Sequence, residues 1–416
     1  MPCKNLWISF DRREVSSMKI LLLNQVFYPD VVATAQYLTD LAADLSARGH
    51  EVTVISSRRA YEHPETIYPA AETWRGVKIR RIFSTRFGKG AKWRRAVDFA
   101  SFLFFCCLRL LFLPRQDVVV ALTTPPLISF LGACRAKLRR EKFCYWVMDF
   151  NPDEAIAAGW LRADSFAAKF LERLSRFSLR RAETVFALDR FMCDRIVAKG
   201  IPSGNVAVIP PWTQDGDVQF DAVGRDEFRV AHGLTEKFVV MYSGNHSPVH
   251  PLTTLMQAAE QLRAEQNIVF AFIGGGSEFQ RIKKWAVGNP QVLCLPYLPL
   301  AKLSGSLSAA DAQVVVMGDA MLGLVHPCKI YNILSVGAPL IYLGPRPSHV
   351  TEIMEQLPKD YPRVSVLHGE ADALAKGIRQ LAAHKSKQRI YFDGLVKPFS
   401  KGKLLPEFVA RLELKS

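Results

Sequence analysis

The sequence predicts two α/β domains, each a doubly wound parallel sheet, facing one another across a cleft. Three observations lead there. Short apolar runs alternate with amphipathic helical segments twice over, the pattern of parallel strands joined by crossover helices. A Pro-, Gly- and Asp-rich stretch, VIPPWTQDGDVQFDAVGRDEF (208–228), interrupts the alternation and reads as a linker. With 416 residues, 49% of them hydrophobic, the chain is too long for one ordinary domain and apolar enough for two cores.

In the first half, strands are expected at 19–23, 51–56, 77–82, 117–121, 142–148, 183–188 and 206–209. The helix over 34–48 carries Leu38, Leu41 and Leu45 on one face, and Gly49 ends it as a C-cap. Over 164–182, Phe166, Phe170, Leu174 and Phe177 repeat at helical spacing, with Lys169, Arg173, Arg176 and Arg180 on solvated faces. AVDFASFLFFCCLRLLFLPR (96–115) is the most apolar stretch. Asp98 and Arg109 interrupt it, so a core helix is expected rather than a membrane span, although the flanking bases would also suit anionic headgroups. In the second half, strands are expected at 238–243, 268–273, 292–295, 313–317, 339–343 and 363–367. Helices should follow at 251–264, 277–287, 300–309, 328–336, 348–357 and 370–383.

The domain division that follows is 1–17 as a disordered extension, 18–208 and 209–395 as the two domains, and 396–416 as a C-terminal helix crossing back to the first. MPCKNLWISFDRREVSS has no apolar core of a secretory signal, and the strand pattern opens at Met18, the expected start of the folded unit. Eight cysteines without a Cys-x-x-Cys suit a reducing compartment. The 54 Lys and Arg against 39 Asp and Glu give +15, which favours a polyanionic partner: a phosphorylated substrate, an anionic membrane or nucleic acid. No recognition helix or aromatic RNA-binding strand stands out, so nucleic acid ranks last.

Open α/β sheets bind ligands beyond the carboxyl ends of their strands. Three second-half strands end in distinctive loops: VVMYSGNHSPVHP, VFAFIGGGSEF and VVVMGDAMLGLVHPCK. Each runs into a helix whose N-terminal amides attract anions. Gly274 and Gly275 in IGGGSEF would let backbone approach a phosphate, or form a plain tight turn; there is no Walker A motif. Lys329 opens a helix, where a cation opposes the dipole unless an anion lies between them. His246 and His250 stand four apart, but Pro248 and Pro251 break the helix that would align them on a metal. No acidic partner accompanies them, and Cys328 has no second Cys, so no metal site is expected. His250 and His326 fit better beside a diphosphate. In VMDFNPDEAIAAGWLR (147–162), Asp153 and Glu154 suit the first turn of a helix, which leaves Asp149 as the acid/base or hydroxyl-orienting carboxylate.

The pattern resembles the GT-B fold of nucleotide-sugar glycosyltransferases, specifically glycosyltransferase family 4 and its bacterial exopolysaccharide and colanic-acid-type members. The resemblance runs from Met18 to about residue 400. FYPDVVATAQYLTDLAADLSARGHEVTVIS is similar to the family's opening strand-loop-helix-strand, MDFNP to its D-L-W-P stretch, MYSGNHS to its G-N loop, and HPCKIYNILSVGAPLI to its P-S-K-x-Y-x-x-L-A-x-G-x-P-V element. It implies that Gly244, Asn245 and Lys329 hold the donor diphosphate, that Tyr331 and Asn332 lie near the ribose or donor, and that the acceptor enters from the first domain. It also implies a retaining, metal-independent cytoplasmic transferase using UDP-, GDP- or similar sugars. Its acceptor would be a glycan or a polyprenyl-linked acceptor, met in the cytoplasm or at the inner face of the membrane. The sequence departs from the family pattern in places: Asn332 stands where a second Glu is usual and the first Glu is absent. Asn245 and His250 replace an Arg and a Lys, Ala33–Thr34 a glycine pair, and Met148 a His. The rival expectations are a GT-B nucleotide-sugar epimerase, an inactive transferase-like subunit and a basic nucleic-acid-binding protein.

Overall fold

The computed structural model describes residues 16–61, 63, 65–87, 92–213, 218–383 and 396–414. The described chain forms two compact units: residues up to Pro210 with Gly323–Val325 and the segment from Leu405, and then Pro211–Leu322 with His326–Leu404. The expected extension over 1–17 lies almost wholly outside the described residues.

The first unit is an eight-stranded sheet. Its strands are β1 (Lys19–Leu23), β2 (Glu51–Ser57), β3 (Ala71–Trp74), β4 (Val77–Ile82), β5 (Val118–Ala121), β6 (Lys142–Trp146), β7 (Thr184–Ala187) and β8 (Val206–Val208). The order is β3-β4-β2-β1-β5-β6-β7-β8, with every pair parallel except β3–β4. β1, β2 and β5 to β7 are fully buried along most of their length, which is why they read as continuous Val/Ile/Leu/Phe runs. The antiparallel β3 was not expected. AETW alternates exposed and half-buried residues at the sheet edge and pairs through a tight Arg75–Gly76 turn with positive φ at both residues, so it carries little apolar signal.

Helices α1 (Ala33–Ala47), α2 (Lys92–Phe112), α3 (Ile128–Arg139), α4 (Asp153–Ala157), α5 (Phe166–Arg181) and α6 (Arg190–Ala198) flank this sheet. Gly49 follows α1 at φ 88°, the left-handed conformation that ends the helix. On α5 the expected aromatic ladder is only half a core: Phe166 and Phe170 are exposed and stacked on each other. α2 also departs from expectation. Phe102, Cys106, Leu110 and the following Leu113 are buried, but a second apolar face is left outside. The final helix, Lys401–Glu413, returns its last turns to this unit. Phe408 stacks on Phe186 at 3.9 Å and lies 4.4 Å from Trp146, and His50 Nε2 lies 2.9 Å from Glu413.

The second unit opens with α7 (Ala222–Ala231), which begins within the stretch that reads as linker; its cap, Asp221, accepts from the Gly224 amide. The Pro, Gly and Asp that suggested a linker are in part the entry to this helix. Its sheet comprises β9 (Phe238–Asn245), β10 (Ile268–Gly275), β11 (Val292–Leu295), β12 (Ala312–Val316), β13 (Leu340–Leu343) and β14 (Arg363–Val366). They run in the order β11-β10-β9-β12-β13-β14, all parallel. Helices α8 (Thr253–Gln261), α9 (Phe279–Ala286), α10 (Leu303–Ser308), α11 (Lys329–Ser335), α12 (His349–Gln356) and α13 (Ala371–Ala383) alternate with the strands, within two residues of expectation at most ends. Buried side chains cover both sheet faces, Phe238, Val240, Tyr242, Phe270 and Phe272 on one and Val239, Met241, Val269 and Ala271 on the other. In each sheet the winding direction reverses beside the first strand, between β1 and β5 and between β9 and β12, which leaves a crevice at the carboxyl ends there.

Candidate active site

In the second unit the crevice between β9 and β12 collects most of the expected residues. β9 and β10 run in register to their last residues, pairing Gly244 with Gly274 and Asn245 with Gly275. Gly244 and Gly274 take φ near 130°, and a Cβ on Gly274 would collide with the Gly244 carbonyl. Only glycine permits this approach. A Cβ on Gly244 would lie 2.7 Å from Lys329 Cε, so Gly244 leaves the channel through which that side chain passes.

Lys329, the first residue of α11, sets its Nζ 3.5 Å from the centroid of the Tyr242 ring. It forms no ion pair among the described residues. Burial pushes its pKa well below the usual lysine value, the cost of a half-buried ammonium with no counter-charge among the described residues. The ring face offsets part of that cost. Tyr242 is itself fixed, buried and donating its hydroxyl to the Asn245 carbonyl at 2.7 Å.

Two histidines complete this group. His250 Nδ1 lies 2.8 Å from the Val316 carbonyl at the end of β12, a contact that requires Nδ1 to carry the proton and ties the β9 loop across the crevice. Burial first, and Lys329 second, hold its pKa down at about 3. His246 is fully buried with Nδ1 3.3 Å from the Gly275 carbonyl, and its Nε2 has no partner among the described residues. Burial and then Lys329 bring its pKa to about 4. Both imidazoles are therefore neutral at pH 7, so they lend dipoles and a polarisable surface rather than charge. The side-chain amides of Asn245 (exposed) and Asn332 (half-buried) make no hydrogen bond among the described residues.

His326 and Tyr331 form a separate pair in this unit. His326 Nε2 lies 2.8 Å from the Tyr331 hydroxyl, and its ring stacks on His349 at 3.9 Å. The Tyr331 ring is buried against Phe399 at 4.9 Å. Cys328 turns its thiol to the His326 carbonyl at 3.2 Å. Gly275 closes the β10 end, its carbonyl accepting from the His246 amide at 2.7 Å.

In the first unit Asp149 lies three residues beyond β6, at the carboxyl edge. Its carboxylate makes neither a hydrogen bond nor an ion pair among the described residues, and burial pushes its pKa up to about 6. Asp153, by contrast, is paired with Lys199 at 2.8 Å. Further unsatisfied buried oxygens lie along the same edge: Asn24 Oδ1 and Gln25 Oε1 beyond β1, and Thr123 Oγ1 beyond β5. The Gln25 amide donates to the Thr124 carbonyl at 2.7 Å, which binds these two strand ends together at the reversal point. Sequence reasoning missed Gln25 and Thr123. Single polar residues at a strand end have no spacing to mark them, and only the parallel register aligns them with Asp149.

Two doubly wound parallel sheets, each with polar groups gathered at its reversal point, are the architecture of the GT-B fold. The chain is a glycosyltransferase of this type, and its residues 33–212 match the glycosyl transferase 4-like domain family. Over 94% of its length it is 24% identical to WcaI of Escherichia coli (strain K12), a glycosyl transferase assigned to colanic acid biosynthesis, of which 99% is covered. Its fold superposes on Anabaena HepE, solved in complex with UDP-glucose, with a TM-score of 0.69 at 14% identity, covering 95% of this chain and 99% of that one. WaaG, a glycosyltransferase involved in lipopolysaccharide biosynthesis, gives 0.68 at 12% identity over 95% of this chain and 100% of its own.

Proposed function

We propose that the protein transfers a sugar from a nucleoside-diphosphate sugar to a lipid-linked glycan during assembly of a cell-surface polysaccharide, with retention of anomeric configuration and without a metal ion. The similarity to WcaI and the fold shared with HepE and WaaG support this reading. The single observation that carries the donor assignment is Lys329: a half-buried ammonium with no counter-charge among the described residues, beside glycine-lined strand ends at the reversal point of an α/β sheet. A diphosphate supplies the missing anion. Gly244 and Gly274 admit it to the backbone, Gly275 and Asn245 line its approach, and His250 braces the loop. Asn332 is left to hydrogen-bond the nucleoside or sugar, while the bond between His326 and Tyr331 fixes the first turn of α11.

In the transfer, the bond between the anomeric carbon and the diphosphate oxygen breaks and the electron pair leaves with the diphosphate. Lys329 stabilises that developing charge from a half-buried position, where water screens it less than at the open surface. The acceptor hydroxyl forms the new bond and releases its proton. We assign Asp149 to the acceptor side, since a carboxyl near 6 is poised to orient that hydroxyl and exchange its proton at cytoplasmic pH. Thermal-shift measurements with UDP-, GDP- and ADP-sugars test the reading. One donor class should raise the melting temperature of the wild type and leave Lys329→Ala unmoved. Absence of stabilisation by any of them overturns the donor assignment.

A further inference from the structure

α2 is apolar on two opposite faces, and only one of them is buried. Phe102, Cys106 and Leu110 face inward at helical spacing. Trp93, Val97, Phe104, Leu108, Leu111 and Phe112 recur at spacings of three and four around the other side, Trp93 and Phe104 at 60% exposure and Phe112 at 83%. The exposed face continues onto the segment that follows β4: Phe83 sets its ring edge-on to Phe105 at 5.5 Å and Phe87 lies 6.1 Å from Trp93, with Phe83 and Phe87 both exposed. So large a contiguous aromatic surface marks a docking site.

The charges around it say what docks. Arg94 and Arg109 on the helix are exposed, and so are Arg115, Arg139 and Arg140 at its carboxyl end. Arg139 donates to the Leu111 carbonyl at 2.8 Å and Arg115 to the Arg140 carbonyl at 3.1 Å, which gathers these arginines beside Leu111 and the 70%-exposed Leu138. The helix has one acidic residue, Asp98, and its carboxylate is turned to the Thr85 hydroxyl at 2.7 Å and the Phe87 amide at 2.9 Å. A second copy seated on this face would bring the two arginine clusters together with no helix carboxylate to answer them. An anionic bilayer answers both features, its headgroups the arginines and its acyl boundary the aromatic rings. No described helix is long and apolar enough to cross a membrane, so α2 would lie in the surface.

We infer that the outer face of α2, with Phe83 and Phe87, seats the first unit on an anionic lipid surface. The inference gives a location to the lipid-linked acceptor in the reading above and rests on that reading for its purpose alone. The test therefore uses neither donor nor acceptor. The full chain is co-sedimented with phosphatidylcholine vesicles with and without phosphatidylglycerol. Binding is expected with phosphatidylglycerol, about tenfold weaker without it, and falling as salt is raised. The triple substitution Phe104→Ser, Leu108→Ser, Phe112→Ser should weaken binding at least about tenfold with an unchanged melting temperature, since all three are exposed. Arg109→Glu with Arg115→Glu should remove the dependence on phosphatidylglycerol. Wild-type protein that fails to sediment with either vesicle overturns the inference, as does binding that survives the triple substitution. If light scattering instead shows the triple substitution turning a dimer into a monomer while vesicles are ignored, the face belongs to a second copy.

Discussion

Lys329 rests its ammonium 3.5 Å above the ring of Tyr242 and has no carboxylate partner among the described residues. A half-buried charge of this kind destabilises the empty protein and becomes useful only when an anion arrives. Substitution by a residue of similar volume and no charge separates the two effects. Lys329→Met should raise the stability of the ligand-free protein by about 1–2 kcal/mol. It should also abolish the thermal shift given by nucleotide sugar. A merely structural lysine would show the reverse, lost stability with retained binding.

The same burial links donor binding to protons. The charge of an anion beside Lys329, His246 and His250 offsets the burial that lowers their pKa values, so binding should take up protons near neutral pH. Isothermal titration of the nucleotide diphosphate in buffers of different ionisation enthalpy should show net proton uptake, and affinity should weaken as pH rises. Uptake should shrink in Lys329→Met. Proton release, or no exchange at all, would count against the arrangement.

In the second unit, without ligand, pH acts through the histidines. Folding depresses the pKa of His246 from 6.5 to about 4, so between those values the unfolded chain binds more protons and stability rises with pH. The contribution is complete above about 6.5 and lost as pH falls toward 4, up to about 3 kcal/mol for this group. Denaturant melts at pH 7 and pH 4.5 should differ in that sense, and His246→Gln should flatten the difference.

Gly274 offers a test of the strand ends alone. Its φ of 135° and the facing Gly244 carbonyl leave no room for Cβ. Gly274→Ala should cost about 2–3 kcal/mol in denaturant melts and weaken donor binding, because β9 must move away from β10 at the point where Gly244 guides Lys329. Gly288, also at positive φ but with open space around it, is the control, and Gly288→Ala should leave donor binding intact.

The fold was legible wherever burial was complete. β9, β10 and β12 announce themselves as VVMY, VFAFI and VVV because both sheet faces are covered. Legibility failed where a segment serves two environments. β3 lies at a sheet edge and shows no apolar run, and the start of α7 is hidden among turn residues that cap it. α2 reads as core from its composition, since a sequence cannot say which of two apolar faces meets solvent. At the site, Lys329 and the glycines follow from strand-loop-helix position. The bond from His326 to Tyr331 and the stack of His326 on His349 were not legible, because His349 has no motif to mark it.

Asp149 carries the sharpest expectation for activity. Its folded pKa, raised by burial from 3.8 to about 6, means that the folded chain binds more protons than the unfolded one between those values. Its effect on stability is therefore opposite to that of His246: the penalty is absent below about 3.8 and complete above about 6. Asp149→Asn removes the charge while keeping the shape, so it should hold or raise the melting temperature at pH 7.5 and leave the donor thermal shift unchanged. Transfer to acceptor should fall by at least about a hundredfold, the scale on which a positioned acid/base group contributes. The wild-type rate should drop on the acid side with a midpoint near 6, and the residual rate of the Asn variant should lack that limb. A rate within a few fold of wild type, or an acid limb that persists in Asp149→Asn, would move the proton-handling role to another residue at that edge. Gln25 and Thr123, with their unsatisfied oxygens, would then be the next to substitute.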